Sequence, residues 1–489
     1  MADLIDSVHI YPNFGIISVM EWENDFVVTN IFEKLRSMLI YCCRVLVRKS
    51  VSQSLKERGI VDTMELELRY NYVKDIVLSD TTKIENGILS VDTEELGMLL
   101  MEDDRIEDVG FDVAKPGDSV RILPVKDVVE PRCKIDGDGF PGLVGEIYEA
   151  GRGTTCVLKN AAVVTTGPIV GFQEGIIDMS GPLSYYTPFS KLFNLVINVI
   201  KKTGVTPHEH EEVVRLAGVK AANYLAKACI PFGYEDSETI KWGSLDDKNH
   251  EYKDLPKVAY VYQCVGQGLL HDTYFYGKDS KLMLPTPINP LEAFDGALVS
   301  GHCVSAGSKT TTYHHQNNAV IKECFKRHGK EINFIGAVVS PMTTVLQDKY
   351  RNSMLTAKIV ELMGADGAIQ SQEGFGNPTT DLMMICKRLE NKGIKTVMIS
   401  NEDAGVDGKS ESLPDGVDEA DAIVSTGNSN ARIRIPRMDR IIGDLDALEH
   451  ITGGFVGSRQ EDGSLIVEIH GIIGSHNLQG YSYLSATTV

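Results

Sequence analysis

Short apolar runs separated by turn residues dominate the chain from Met64 to about Gly167. Ile76-Val-Leu78, Ile88-Leu-Ser-Val91, Ser119-Val-Arg-Ile-Leu123 and Val163-Val-Thr-Thr166 each have strand length, and Asn86-Gly87 and Pro116-Gly117 stand before two of them. Asn-Gly supplies positive φ and proline a fixed φ, so the pattern predicts turns between strands and a β-rich domain. The period then changes. Between Glu209 and Ala228, residues Val213, Leu216, Ala217 and Leu225 recur at helical spacing on one face, and Val258-Ala-Tyr-Val-Tyr262 returns to a strand. The polar stretch from Tyr234 to Asp254 lies between them and is expected to be an exposed linker.

Further on the pattern alternates. Strands are predicted at Phe334-Ile-Gly-Ala-Val-Val339, Gly367-Ala-Ile369, Thr396-Val-Met-Ile399 and Ala422-Ile-Val424, with helices over Ser353 to Met363 and Asp381 to Asn391. Strands alternating with helices imply βαβ units. The expected class is therefore α/β: a β-rich N-terminal domain followed by an α/β region with a mostly parallel sheet in the C-terminal half. In such sheets ligands bind beyond the carboxyl ends of the strands. Two loops are expected there, Gln372 to Thr380 and Thr426-Gly-Asn-Ser-Asn430. The first leads into a helix whose free N–H groups suit a carboxylate, although an ordinary capped turn has the same composition.

Charge narrows the partners. The 489 residues carry a formal charge of −20, which opposes binding to nucleic acid, and no apolar run reaches the roughly 20 residues of a membrane span. Nine cysteines, an odd number without paired metal-binding spacing, do not resemble a secreted disulfide framework, and the start lacks a basic secretory region. A cytoplasmic protein with reduced thiols is expected. Residues 1–63 differ in character, with seven basic residues against one acidic from Lys34 to Arg58. They are expected to be an untranslated leader read as protein, with the true start at Met64; a basic amphipathic segment touching a membrane surface is the alternative.

The densest candidate chemistry is Ser300-Gly301-His302-Cys303-Val304-Ser305-Ala306-Gly307. A thiol in such small surroundings can attack the carbonyl before it, since glycine admits the backbone geometry such an approach needs. The plain alternative is a small buried hydrophobe. His271 and Asp272 are candidates for proton transfer or processing. Of the neighbours His314 and His315, at most one is expected to face the site. Glu174 and Asp178 form a candidate carboxylate pair, with two solvated loop acids as the simpler expectation. His208, Glu209 and His210 lack the further cluster a metal site needs, and no metal is expected.

Five blocks carry a family resemblance: Pro124-Val-Lys-Asp-Val-Val-Glu-Pro131, Gly171-Phe-Gln-Glu-Gly-Ile-Ile-Asp-Met-Ser-Gly-Pro182, Gly268-Leu-Leu-His-Asp-Thr-Tyr274, the Cys303 segment and Glu373-Gly-Phe-Gly-Asn-Pro378. From about Met64 to Val489 the chain resembles the precursor of the α and β subunits of component B of glycine, sarcosine and betaine reductases, related to the D-proline reductase precursor. The resemblance implies a cut before Cys303, whose remnant becomes a covalent pyruvoyl group. The family pattern has Asn before that cysteine and this chain has His302, which offers the same scissile carbonyl. Attack on that carbonyl gives a thioester, elimination gives dehydroalanine, and hydrolysis leaves the pyruvoyl cap.

Such a cap forms an imine with a substrate amine and labilises its C–N bond without a diffusible cofactor. Glycine and sarcosine can form it, and the quaternary nitrogen of betaine cannot. The resemblance further implies a selenocysteine-containing subunit of component B that carries off a carboxymethyl group, selenoprotein A as a second partner, and a hetero-oligomer. The small amine-carboxylate substrate is expected to bind through Asn377, Thr379 and Asn428. The expected layout is an extension over 1–63, a β-rich domain over 64–233, an α/β segment over 255–302 ending at the cut, and an α/β fragment over 303–489 bearing the pyruvoyl group. Two other functions fit Cys303 less well. One is a cysteine-nucleophile hydrolase using His271 or His315, and the other a non-catalytic module that binds a small carboxylate.

Overall fold

In the computed structural model the structure describes residues 63–171, 173–267, 270, 272–301 and 305–479. Two four-stranded sheets organise the first half. One has the order Asp236–Trp242, Met64–Tyr72, Gly153–Lys159, Arg132–Lys134, and the other Ile106–Ala114, Phe193–Lys201, Ala161–Thr166, Asp127–Val129. The helix Pro207–Cys229 starts at a capping box in which the Thr206 hydroxyl and the Glu209 carboxylate each satisfy a backbone N–H of the other, with Pro207 in its first turn. Its apolar stripe, Val213, Val214, Ala217, Ala221 and Leu225, packs with Val129, Val163 and Leu195 of the second sheet. The β-rich content expected of the first half and its helix are both present.

The expected linker is not one. Asp236–Trp242 is an edge strand paired antiparallel with Met64–Tyr72, and Leu245–Glu251 is a helix. An edge strand with one covered face needs few apolar residues; here only Trp242 is buried, so the sequence looked polar throughout.

The second half is built on a six-stranded sheet in the order Thr286–Ile288, Asn333–Met342, Lys257–Val265, Gly367–Ser371, Lys395–Glu402, Ile423–Asn428. All neighbours are parallel except the first pair. The predicted helices are longer at their starts, Leu346–Leu362 and Asn377–Glu390. Side chains alternate across the central strand. Tyr260, Tyr262 and Cys264 face a core with Leu291, Phe294, Val320 and Cys324, while Ala259 and Val261 face Ala357, Val360 and Ile385 of the two long helices.

Numbered along the chain, the five parallel strands run 2-1-3-4-5, so strand order reverses beside Lys257–Val265. A sheet of this order has its ligand crevice at the carboxyl ends of strands 1 and 3, here Lys257–Val265 and Gly367–Ser371. The central strand precedes Cys303 in sequence, yet both its neighbours follow it. A second parallel contact of this kind joins Arg440–Gly443 to Val120–Val125.

Among the described residues no helix is long and apolar enough to cross a membrane, and no group of three His, Cys, Asp or Glu side chains can hold a metal ion. The six described free cysteines are all buried.

Candidate active site at the carboxyl end of the parallel sheet

The other four sequence blocks, spread over some 250 residues, meet the described flanks of the Cys303 segment. His302, Cys303, Val304 and His271 lie outside the described residues; Gly301, Ser305 and Asp272 flank them in the chain. Gly301 packs on the main chain of Asp272 and Thr273: a Cβ there would lie 2.1 Å from the Asp272 carbonyl carbon and 2.6 Å from the Thr273 nitrogen. Only glycine fits. Ser300 N–H donates to the Thr312 hydroxyl at 3.0 Å, Thr312 donates to the Asp127 carboxyl at 2.6 Å, and Arg215 donates to the Ser300 carbonyl at 3.3 Å. On the other side Ser305 bonds His470, and the Gly307 N–H donates to the His470 carbonyl at 2.8 Å. Gly175 is equally constrained, since a Cβ would lie 2.5 Å from that of Ala306.

If the chain is cut before Cys303, Gly301→Ala is expected to displace the segment from Asp272 and to leave most of the chain uncut, as read on a denaturing gel.

Buried charge surrounds this segment. Arg121 clasps Asp178 through two bonds of 2.7 Å, Lys126 reaches Glu174 at 2.8 Å, and Arg215 pairs with Glu211 one helical turn away. Glu174 and Asp178 are therefore not the solvated loop acids expected; each is almost fully buried against a cation. Burial works against ionisation of Glu174, but Lys126 outweighs it and holds the carboxyl below its ordinary value. Lys309 has no exposed surface and donates to the Lys126 carbonyl. Burial lowers its ammonium to about 8, against the opposing pull of Asp127, Glu211, Glu174 and Glu373.

Glu373 spans the point where strand order reverses. One carboxyl oxygen accepts from the Val265 N–H, at the end of the central strand, at 2.9 Å and from the Thr273 hydroxyl at 2.5 Å. The other faces His315 Nε2 at 3.7 Å. Burial raises this carboxyl to about 7. His315 also bonds the Tyr262 hydroxyl, whereas His314 bonds Thr311 and stands edge-on to Phe189 with ring centres 5.1 Å apart. The two histidines thus point apart.

Of the residues expected at the site, Asp272 lies against Gly301, its carboxyl accepting from the Gln267 N–H at 3.0 Å. Thr379 is buried and accepts from Gln372 at 3.4 Å, just past the strand end. Asn377 and Asn428 are committed to different loops, donating to the Thr343 carbonyl at 3.0 Å and the Gly405 carbonyl at 2.8 Å. Glu209 is spent on the capping box of its helix. Sequence inspection missed Glu373, Lys309, Thr273 and Tyr262 as site residues. The available signal was position: Glu373 opens a glycine-rich block directly after a predicted strand.

Comparison with known proteins gives the class that this fold and site define. Residues 64–487 match the model of the glycine/sarcosine/betaine reductase component B subunits, and the chain belongs to that family. It is 48% identical to the glycine reductase complex component B subunits alpha and beta of Acetoanaerobium sticklandii, over 87% of this chain and all of that one. It is 45% identical to the sarcosine reductase complex component B subunit alpha of Peptoclostridium acidaminophilum, over 86% of this chain and 99% of that one. Identity to the betaine reductase complex component B subunit alpha of the same organism is 36%, over 86% and 98%. These relatives are components of reductase complexes, and the chain is an oxidoreductase component of the same kind. No solved structure matches.

Proposed function

We propose that the chain is a self-cleaving precursor: it is cut between His302 and Cys303, and Cys303 becomes the pyruvoyl group of a selenium-dependent reductase acting on a small amine-carboxylate. The observation that supports this most directly is the packing of Gly301 on Asp272 and Thr273, which holds the residues before the cut against the crevice at the carboxyl ends of the central strands. The surroundings fit a small polar cap. Among the described residues, buried His315 Nε2 and Glu373 Oε1 lack hydrogen-bond partners beside Thr273. A pyruvoyl carbonyl would supply an electrophile for amines and an electron sink.

The chain's own residues supply the rest. Ser300, Thr312 and Asp127 fix the main chain before the cut, while Ser305, Gly307 and His470 fix it afterwards. The substrate carboxylate is proposed to enter the same crevice near Thr379, at the first turn of the helix Asn377–Glu390. The Asn377 and Asn428 amides act there by shaping loops. Higher identity to the relatives named for glycine and sarcosine than to the one named for betaine supports a substrate nitrogen that keeps an N–H. A partner bearing the selenocysteine is required, since this sequence contains none.

Intact mass of the protein from its anaerobic host tests the reading. Two polypeptides are expected, the second of 187 residues from position 303 to Val489 and blocked to Edman degradation. A single full-length chain with a titratable thiol at Cys303 sinks it.

A further inference from the structure

We propose that Glu373 is the proton-transfer group of this site and that Thr273, His315 and Tyr262 are the positioning residues that set its state. The inference rests on the reading that the segment after Gly301 supplies the reacting group.

Three observations carry it. Glu373 has one oxygen held by the Val265 N–H and the Thr273 hydroxyl, while its other oxygen is fully buried without a hydrogen-bond partner among the described residues. Opposite that oxygen, His315 Nε2 is also buried and unpartnered, and 3.7 Å is too long for a direct bond between them. The hydrogen-bond sequence behind His315 then fixes where its proton sits. Gln479 Nε2–H donates to the Tyr262 oxygen at 2.5 Å, which leaves the Tyr262 hydrogen for His315 Nδ1. A neutral imidazole accepting at Nδ1 carries its hydrogen on Nε2, so a donor faces the free oxygen of Glu373. His315 is neutral, because burial, with help from His314 and Lys309, lowers it to about 3.

The third observation is place. Thr273, which holds one Glu373 oxygen, is the residue on whose nitrogen Gly301 packs. The carboxyl therefore lies one side chain away from the segment that is cut. The charged and titratable groups facing it are Lys309, from the segment after the cut, Asp272, from the loop before Tyr274, His315, from the short helix Thr312–Gln316, and Tyr262 and Cys264, from the central strand. Burial dominates among them and places the Glu373 transition at about 7.

The chemistry balances with one acid. A selenolate of the partner, the amine form of the aminocarboxylate substrate and the Glu373 carboxylic acid give a carboxymethyl selenide, ammonia and the Glu373 carboxylate. The Se–C bond forms, the C–N bond breaks with its electron pair leaving on nitrogen, and Glu373 supplies the proton that nitrogen takes up. The carboxylate is reprotonated from solvent between turnovers. Since the acid form is the active one, turnover falls as pH rises through about 7.

The test compares the wild type with Glu373→Gln and Thr273→Val. Glu373→Gln is expected to be cut like the wild type on a denaturing gel, to turn over roughly a hundred-fold or more slowly, and to lose the pH limb near 7. A buried carboxylic-acid C=O band in the infrared should disappear across the same pH range in the wild type and be missing from the variant. Thr273→Val removes a donor to the carboxylate and should move both the band and the limb to higher pH, which a purely structural role for Thr273 does not do. The proposal is overturned if Glu373→Gln turns over normally with its limb intact, if it remains uncut, or if no band assigned to Glu373 titrates near neutrality. The infrared titration and its shift in Thr273→Val are readable on the uncut chain as well. An uncut wild type with both signals present therefore refutes the cleavage reading and leaves the state of Glu373 established.

Discussion

Cys303→Ala is expected to yield one uncut polypeptide that ends at Val489, free of any carbonyl that hydrazine reagents label and without reductase activity. Alanine has no nucleophile for the His302 carbonyl and no leaving group for the elimination that follows, so both steps fail together. Cys303→Ser retains an attacking atom and should be cut slowly, because an oxygen ester replaces the thioester and a carboxylate departs from Cβ less readily than a thiocarboxylate. Gel and intact-mass measurements after matched incubations separate the three proteins. Full activity in uncut Cys303→Ala would refute the proposed prosthetic group.

The second large effect concerns Glu130, which has no exposed surface. Its carboxyl accepts from Arg132 at 2.8 Å, Lys159 at 2.9 Å and Asn317 at 3.2 Å. Burial alone would raise this carboxyl, but Arg132 and Lys159 outweigh it and hold it at about 2. Removing it leaves a buried guanidinium and an ammonium without their counter-ion, a defect that costs about 3–5 kcal/mol. Glu130→Ala should therefore unfold at clearly lower denaturant than the wild type. The pH dependence follows from the depressed value: the contribution is complete above the ordinary carboxyl range near 4.5 and is lost as pH falls toward 2. Wild-type stability should drop through that window, and the drop should be shallower in Glu130→Gln. Equal acid sensitivity of the two would show that the ion cluster is energetically neutral.

Local pattern was enough for much of the fold. Val258 to Tyr262 and Phe334 to Val339 read as strands because a parallel sheet covered on both faces demands continuous apolar runs, and both are buried throughout. The edge strand Asp236–Trp242 did not, since its pairing is a backbone property and its side chains are mostly in water. Glu174 and Asp178 looked solvated because the cations that bury them, Lys126 and Arg121, lie 48 and 57 residues earlier. Their pairing exists only in three dimensions. Lys309 was hidden for the same reason, and Glu373 was marked only by its position after a predicted strand, because the groups it bridges, Val265 and Thr273, lie about a hundred residues earlier. The position of the central strand was equally hidden, because a sequence read in order assigns a strand to the segment around it and not to a sheet completed a hundred residues later.

That central strand has a consequence for the life history of the protein. Lys257–Val265 is hydrogen-bonded on one side to Asn333–Met342 and on the other to Gly367–Ser371, so once the chain is cut the larger sheet belongs to two molecules. Neither product can rebuild it alone. The C-terminal piece would face a gap between two strands, and the N-terminal piece would expose a largely apolar strand with both edges open. On the proposed cut, folding would have to be finished while the covalent chain still dictates which strand goes where, and the cut would remove the template. A mature enzyme unfolded in urea is then expected to stay inactive on dilution, whereas the uncut Cys303→Ala chain should regain its structure, so the processed form owes its persistence to slow unfolding and not to a reversible equilibrium.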